Sequence, residues 1–373
     1  MKFEQILGQK EIKERLIQSF VNNRLSHAYL FFGIAGSGKL GLAIAFAQYL
    51  SCTDKQEKDS CGQCLSCKKY EKLIHPDLHF VFPVITESGK KKISDAFISE
   101  WRELIQNDVY ISYNEWMQHL GSQNKQGIIS VDESAEIIRK LSLKSFESEY
   151  KIMIIWLPEK MNNSCANKLL KILEEPPHNT VFILVSDERE SVLPTILSRT
   201  QAVKILGIDD DIMQEYIIKN FNLNTQEAAD IVKISNGSYV EAKKQILASE
   251  ENKFNLQQFI RFMRFTYSRN IAEALQWADE MAKIGREAQK NFLKYSSILI
   301  RENFVYNFKN NNIYYLTKEE EEFAAKFAKF LNNNNVNEIV KVLDEAYFHI
   351  ERNGMARIIF TDIAFLVMRV IKK

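Results

Sequence analysis

Apolar residues in the first half of the chain occur in blocks whose spacing predicts strands and helices in alternation. Short, nearly continuous apolar runs of strand length occur at residues 28–32, 79–84, 151–157 and 181–185. Residues 40–50 and 161–174 instead have the apolar content and spacing of helices. Because strands that alternate with helices form parallel sheets covered on both faces, the pattern predicts a three-layer α/β domain.

The strand pattern ends near residue 207, and helical periodicity continues from there to the end of the chain. A short helical stretch is interrupted at Asn236-Gly237, and longer amphipathic helices follow from about residue 255. The sequence therefore predicts three domains: an α/β domain at 1–206, a small helical domain at 207–252 and a larger helical domain at 253–373.

One segment, residues 87–126, interrupts the alternation of the α/β domain. Apolar residues at helical spacing between residues 97 and 105 predict an amphipathic helix within it, and we interpret the segment as a packed surface insertion of open role. Just beyond it, Ser130 and Glu133 have the spacing of a capping box, which predicts the start of a further helix.

Composition narrows the function classes. The chain has 373 residues, of which 46% are hydrophobic, and its 49 Lys+Arg against 48 Asp+Glu leave a net charge of +1. This balance excludes a strongly basic, free-standing DNA-coating protein, although it allows a local basic face. No apolar run is long enough to span a bilayer, and the charged start lacks the hydrophobic stretch of a signal peptide. We therefore expect a cytoplasmic protein without a membrane partner.

A glycine-rich loop follows the first predicted strand and opens a helix. Gly33, Gly36, Gly38 and Lys39 have the spacing of a phosphate-binding loop, in which backbone N–H groups and the lysine bind phosphate oxygens. The same loop, with Gly41, also fits the dinucleotide pattern G-x-G-x-x-G. That interpretation needs an acidic residue about 20 positions on, where cysteines occur instead. A glycine turn kept only for packing remains the other alternative.

The residues that hold magnesium in working nucleotide hydrolases are missing. The hydroxyl residue that should follow Lys39 is Leu40, and the third strand ends in Trp156-Leu157 where an acidic pair belongs. Without the metal, charge on the transferred phosphoryl group is poorly stabilised. The loop is therefore expected to bind at most a phosphate, without hydrolysing ATP.

Four of the five cysteines lie close together. Cys52, Cys61, Cys64 and Cys67 supply four thiolates within residues 52–67, enough for one closed tetrahedral zinc site of structural type. An iron–sulfur cluster is the chemical alternative, which the polar, lysine-rich flanks disfavour. Cys165 stands alone in a predicted helix, where we expect a buried thiol.

Six blocks of the sequence resemble one family. In addition to the four cysteines, the matching blocks are ILGQ at 6–9, RLSHAYLFFG at 24–33, HPDL at 75–78, NKLLKILEEPP at 167–177 and LPTILSRT at 193–200. In this order they resemble the delta-prime subunits of the bacterial DNA polymerase III clamp loader, members of the AAA+ class. The resemblance is strongest before residue 205 and implies an AAA+ α/β domain, a helical lid domain and a C-terminal oligomerisation (collar) domain.

The resemblance also implies a function. Delta-prime subunits act in a ring with delta and gamma/tau subunits that loads the sliding clamp onto primed DNA, and they do not hydrolyse ATP themselves. The chain would thus be a non-catalytic subunit of the DNA polymerase III holoenzyme. Ser198-Arg199-Thr200 matches the family's Ser-Arg-Cys motif except at its last residue, which implies that Arg199 reaches the ATP of a neighbour. The plainer alternative is a helix-terminal arginine that binds carbonyl groups.

Two other hypotheses remain. An ATP-hydrolysing gamma/tau-type motor subunit shares the cysteines and the Ser-Arg motif. Leu40, Trp156-Leu157 and Val240 argue against it. Val240 lies shortly after the Gly-Ser pair of the lid, where working members carry an arginine. The other hypothesis is an unrelated zinc-containing interaction protein. Co-purification with clamp-loader subunits would distinguish it from the non-catalytic clamp-loader subunit.

Overall fold

The structure is a computed structural model that describes residues 1–85, 93–122, 126–221, 223–308 and 316–372. Residues 87–92 and 123–125 of the predicted insertion lie outside the described residues. The chain divides into two compact units, Met1–Gln245 and Ile246–Lys373. The first contains the sheet and the second is helical throughout its described part.

A five-stranded parallel sheet forms the centre of the first unit, in the order β2-β3-β4-β1-β5. Its strands are β1 (Ala28–Phe32), β2 (Leu78–Val81), β3 (Lys151–Trp156), β4 (Thr180–Ser186) and β5 (Gln201–Lys204). Every residue of the central strands β3 and β4 is buried, in agreement with the apolar run at the centre of each strand. The predicted α/β class and its parallel sheet are confirmed.

The edge strand β5 has no counterpart in the sequence prediction. Of its residues only Val203 is buried, so it lacks both a continuous apolar run and a clear alternation. It forms because Tyr29–Phe32 of β1 offers a row of backbone groups for pairing. Tertiary pairing thus decides this strand, and local sequence does not.

Helices alternate with these strands along the chain and continue after β5. Those of the first unit are α1 (Lys10–Val21), α2 (Lys39–Ser51), α3 (Leu65–Glu71), α4 (Ile98–Asn107), α5 (Tyr113–His119), α6 (Val131–Ser142), α7 (Asn163–Glu174), α8 (Pro194–Leu197), α9 (Asp210–Phe221) and α10 (Thr225–Ser235). All of α2 is buried, which explains a helix sequence without a polar face. The helix predicted after residue 130 is confirmed as α6, but the predicted capping box is wrong. Ser130 makes no side-chain cap, and the Glu133 carboxylate accepts the N–H of Ser94 instead, at 2.7 Å.

The predicted amphipathic helix of the insertion is confirmed as α4. Trp101 on this helix is fully buried and stacks on Phe82 just past β2, with ring centroids 4.3 Å apart. The indole of Trp101 also contacts Trp116 from α5 and Trp156 at the end of β3. The described part of the insertion is therefore packed against the sheet by an aromatic cluster.

The second unit contains most of a long helix, α11, which begins in the first unit. Its helices are α11 (Tyr239–Ser268), α12 (Ile271–Met281), α13 (Arg286–Tyr306), α14 (Lys318–Phe327), α15 (Val336–Glu351) and α16 (Ala356–Val370). Their buried faces form one core that includes Phe259, Trp277 and Phe360. Because α11 runs without a break through the predicted boundary at 252/253, the separation into a lid and a C-terminal domain stays a prediction. No helix in the described ranges is long and apolar enough to cross a membrane.

Candidate functional site

The phosphate loop lies between β1 and α2, and its lysine is bound by the chain itself. Lys39 is only 4% exposed. Its Nζ donates to the carbonyl oxygens of Gly33, at 2.9 Å, and Ile34, and forms an ion pair with Asp187 Oδ1 at 2.9 Å. An ammonium group has three N–H donors, so these partners use all of them. Burial lowers the pKa of Lys39, and the Asp187 carboxylate opposes that shift.

The loop glycines are covered by protein. At Gly36, where φ is +77°, an added Cβ would lie 2.6 Å from the backbone nitrogen of Val240. At Gly38, where φ is +89°, it would lie 3.1 Å from Ile6 and 3.3 Å from the ring of Tyr110. These positions need glycine both for their left-handed backbone and for the close approach of neighbouring protein. The packing alternative raised by the sequence therefore has a physical basis.

Part of the insertion reaches this loop. The Tyr110 hydroxyl accepts the N–H of Leu7 at 2.7 Å while its ring lies against Gly38. From the other side, Lys243 on α11 donates to Asp108 at 2.6 Å, to the carbonyl oxygen of Tyr110 at 3.0 Å and to Glu115 at 3.2 Å. Residues 108–115 thus bridge the phosphate loop and the start of α11.

The positions that lack magnesium ligands are apolar and buried. Leu40 is 4% exposed, Trp156 is 3% exposed and packs on Trp101 with centroids 5.1 Å apart, and Leu157 is 2% exposed. Val240, where the family resemblance places a sensor arginine, is also buried. None of these four side chains carries an oxygen that can bind a divalent cation.

Two acidic residues that the sequence analysis did not assign to the site lie beside Lys39. Asp187 directly follows β4, and Glu159 follows β3 by three residues. Glu159 accepts the N–H of Asp187 at 3.0 Å, and burial raises the pKa of its carboxyl group. The sequence could have indicated both residues, because each follows the carboxyl end of a strand. In a parallel sheet such ends meet at one edge.

The four clustered cysteines come together at the end of α2 and the start of α3. Their Sγ atoms all lie within 4.8 Å of one another. Cys52 Sγ is 3.6 Å from Cys61 and 4.0 Å from Cys64, and Cys61 is 3.9 Å from Cys67. Zn–S bonds of about 2.3 Å in a tetrahedron place sulfur atoms about 3.8 Å apart. The cluster therefore has the size that a zinc ion requires.

Backbone amides complete this cluster. The N–H of Cys64 donates to Cys61 Sγ at 3.3 Å, and the N–H of Cys67 donates to Cys64 Sγ at 3.4 Å. Burial raises the pKa of the Cys52 and Cys67 thiols, whereas at Cys64 hydrogen bonds from Thr53 and Cys67 outweigh burial and lower the pKa to about 6. Such donors favour the thiolate form that binds metal. Cys165, by contrast, is a fully buried thiol in α7, as expected.

Arg199 lies after the short helix α8, with its side chain 30% exposed. Its Nε donates to Glu174 Oε1 at 2.6 Å, and its Nη2 contacts the same oxygen. Its Nη1 donates to the carbonyl oxygen of Thr195 at 2.8 Å and to the hydroxyl of Ser198 at 3.1 Å. The hydroxyl of Ser198 therefore contacts Arg199, and Glu174 is a carboxylate partner that the sequence analysis did not name.

Comparison with known proteins finds similarity to subunits of DNA polymerase III. The sequence profile of the family described as DNA polymerase III, delta subunit, matches residues 8–209. The DNA polymerase III subunit delta' of Bacillus subtilis is 26% identical over 251 residues, which are 64% of this chain and 63% of that protein. The DNA polymerase III subunit tau of the same organism is 29% identical over 200 residues, 54% of this chain and 28% of the relative.

Among solved structures, a DNA polymerase III gamma subunit-related protein of Thermotoga maritima aligns with 98% of this chain and 100% of its own, at 13% identity and a TM-score of 0.38. The alignment with the B. subtilis delta' relative spans less than two thirds of that protein's length. The profile match covers more than half of this chain and contains the phosphate loop, the cysteine cluster and Arg199. It confirms the resemblance that the sequence motifs indicated, and the chain belongs to the DNA polymerase III delta subunit family, which includes delta'-type clamp-loader subunits.

Proposed function

We propose that this chain is a non-hydrolysing subunit of the DNA polymerase III clamp loader, which helps place the sliding clamp on primed DNA. In this role it assembles in the cytoplasm with delta and gamma/tau subunits, and Arg199, aided by Ser198, reaches the ATP of a neighbouring ATPase subunit. Its contact with DNA is to the phosphate backbone and carries no base specificity.

The observation that carries the non-hydrolysing role is the internal binding of Lys39. Its three donors are used by the loop and by Asp187, and Tyr110 and Val240 pack against the loop glycines. A nucleotide would have to replace these contacts and would still find Leu40 where a magnesium ligand is needed. Turnover by the isolated chain is therefore not expected.

An ATPase assay on the isolated chain tests this role against the gamma/tau-type alternative. We expect no magnesium-dependent ATP turnover above a blank, in the wild type and in Lys39→Ala alike. Turnover that the wild type shows and Lys39→Ala abolishes would contradict the proposal and favour the gamma/tau-type motor subunit. This chain is also similar in sequence to the tau relative.

The role of Arg199 follows from the chemistry of phosphoryl transfer. Negative charge accumulates on the γ-phosphoryl oxygens in the transition state, and a guanidinium delivered by a neighbouring subunit stabilises that charge. Arg199 suits this role because it lies at the end of a short helix with its side chain partly exposed. The plainer role, binding carbonyl groups at a helix end, accounts for its contact with Thr195 alone.

Reconstitution of the complete complex tests Arg199. Arg199→Ala should assemble normally but reduce ATP hydrolysis at the adjacent site by about tenfold or more, because one transition-state charge partner is lost. Arg199→Lys, which keeps the charge but not the planar fork, should recover only part of the rate. Arg139→Ala, on the exposed side of α6, is the matched control and should not change the rate. Undiminished hydrolysis in Arg199→Ala would remove the proposed role.

We further propose that the cysteine cluster holds one structural Zn²⁺, which leaves no open position for catalysis. Metal analysis should give one zinc per chain, and Cys61→Ser should lose it and unfold more easily. Cys165→Ala should keep its zinc, because this buried thiol lies in the core beneath α7. Iron with a visible chromophore would indicate a cluster of the other chemical type.

A further inference from the structure

The guanidinium of Arg199 is almost fully occupied within its own chain. Its Nε and Nη2 point to Glu174, and its Nη1 serves Thr195 and Ser198. Of five N–H donors, one on Nη2 is left without a partner among these contacts. Arg199 therefore cannot make a forked contact with a neighbour's phosphate while it stays bound to Glu174.

The carboxylate and the guanidinium are held at fixed places by the core beneath them. Leu173, just before Glu174, and Ile196, one turn before Arg199, are each 1% exposed and belong to the same hydrophobic cluster. Pro176 directly follows Glu175, so the end of α7 cannot extend further. Only the side-chain atoms of Glu174 and Arg199 beyond Cβ are free to exchange hydrogen-bond partners.

Glu174 does not stabilise its own helix. It is the last residue of α7, where the helix dipole disfavours a negative charge. The side chains of Glu174 and Arg199 remain 47% and 30% exposed, so solvent weakens their attraction. The contact is thus well formed yet weak enough for a phosphate with more negative charge to displace it.

We propose that Glu174 is a positioning residue that holds Arg199 on its own subunit until the neighbouring γ-phosphate competes for it. This inference rests on the proposed role of Arg199. Its consequence is a complex whose ATP hydrolysis is restrained before the clamp and DNA bring the subunits together. Glu174 touches neither the nucleotide nor the reacting atoms, and it acts only through the guanidinium.

The test is Glu174→Gln in the complete reconstituted complex. Loss of the charge should raise the ATPase rate measured without clamp and DNA by about two- to fivefold, the range expected for an exposed ion pair. The rate with clamp and DNA should change little, because Arg199 is then already engaged. The ratio of variant to wild-type basal rates should approach one at high salt, since screening removes the same attraction. Glu175→Gln changes the adjacent, exposed glutamate and is the matched control.

Three results would overturn the inference. The first is an unchanged or lower basal rate in Glu174→Gln, with folding verified by thermal unfolding. The second is the same increase in Glu175→Gln, and the third is an increase that persists when Arg199→Ala is added. If Arg199→Ala alone leaves hydrolysis undiminished, the proposed role of Arg199 fails and the restraint by Glu174 fails with it. If Arg199→Ala lowers hydrolysis as expected but Glu174→Gln has no effect, only the proposed restraint by Glu174 is excluded.

Discussion

At the scale of single residues, Glu133 shows how tertiary burial overrides a local motif. It is 2% exposed, its Oε2 accepts the N–H of Ser94, and its Oε1 has no hydrogen-bond partner among the residues that the structure describes. Burial raises the pKa of Glu133 to about 7, although Ser94 and Lys140 oppose the shift and Asp95 adds to it. The folded chain therefore keeps a proton at pH values where the unfolded chain has lost it.

This raised pKa predicts a pH-dependent stability. Between the ordinary carboxyl pKa and about pH 7 the folded state binds more protons than the unfolded state, so the free energy of unfolding falls as pH rises through this window. Glu133→Gln should remove that decrease and be more stable than the wild type at pH 8, by up to about 3 kcal/mol. Urea unfolding at a series of pH values measures both effects.

Glu136→Gln is the control on the same helix. The hydrogen bond from Arg139 lowers the pKa of Glu136, so this change should leave the fall in stability towards pH 7 in place. A Glu133→Gln variant with the same pH profile as the wild type would contradict the assigned pKa.

At the scale of elements, the described part of the insertion is a bridge between the phosphate loop and the start of α11. Lys243 contacts Asp108, Tyr110 and Glu115 together, and the ring of Tyr110 stacks edge-on against Tyr239, with centroids 5.0 Å apart. Burial alone would lower the pKa of Lys243, but its ion pairs with Asp108 and Glu115 raise it above the usual value. The bridge thus combines two ion pairs, one hydrogen bond to a backbone carbonyl group and one aromatic contact.

Removal of this lysine is expected to loosen the bridge. Lys243→Met keeps most of the aliphatic chain but leaves two carboxylates and one carbonyl oxygen without their shared donor. The free energy of unfolding should fall by about 1–3 kcal/mol, and amide hydrogen exchange should increase in residues 108–115. Chemical denaturation and hydrogen exchange monitored by mass spectrometry give the two measurements.

The neighbouring lysine provides the comparison. Lys244 is 56% exposed in its side chain and pairs with Glu241 on the same helix, so Lys244→Met should change stability by no more than about 0.5 kcal/mol. Equal effects of the two substitutions would show that the bridge contributes nothing specific.

At the scale of the whole molecule, the chain carries a separate core in each of its two units. The second core centres on Trp277, which is fully buried, stacks on Phe262 with centroids 4.9 Å apart and packs against Phe292 and Phe360. Its indole N–H donates to Gln258 at 3.1 Å. None of these contacts involves the sheet or the cysteine cluster, so the second core should respond to mutation on its own.

Trp277→Ala tests that independence. It should destabilise the second unit by about 3–5 kcal/mol, because a large buried ring is lost and leaves a cavity. Calorimetry should show a lowered transition for that unit, while metal content and the fluorescence of the tryptophans in the first unit stay unchanged. Phe348→Ala, a 44% exposed position of α15, should cost less than about 1 kcal/mol. Loss of metal in Trp277→Ala would show that the two cores are not independent.

The sequence by itself determined features whose cause is local. Apolar runs of strand length defined β1, β3 and β4, helical periodicity defined α4 and α15, and the spacing of the glycines and cysteines defined the two candidate sites. These patterns are visible because a strand buried on both faces, an amphipathic helix and a cysteine cluster each need particular residues at fixed spacing. The motif blocks also identified the family, which the profile match confirms.

Only the tertiary structure decided which distant groups meet. The pairing of Lys39 with Asp187, of Arg199 with Glu174 and of Lys243 with the insertion joins residues far apart in the chain. Edge strand β5 likewise depends on its neighbour and carries almost no local signal. Ion pairs and edge pairing are set by which elements the fold brings side by side, and a single sequence does not encode that proximity in any local spacing.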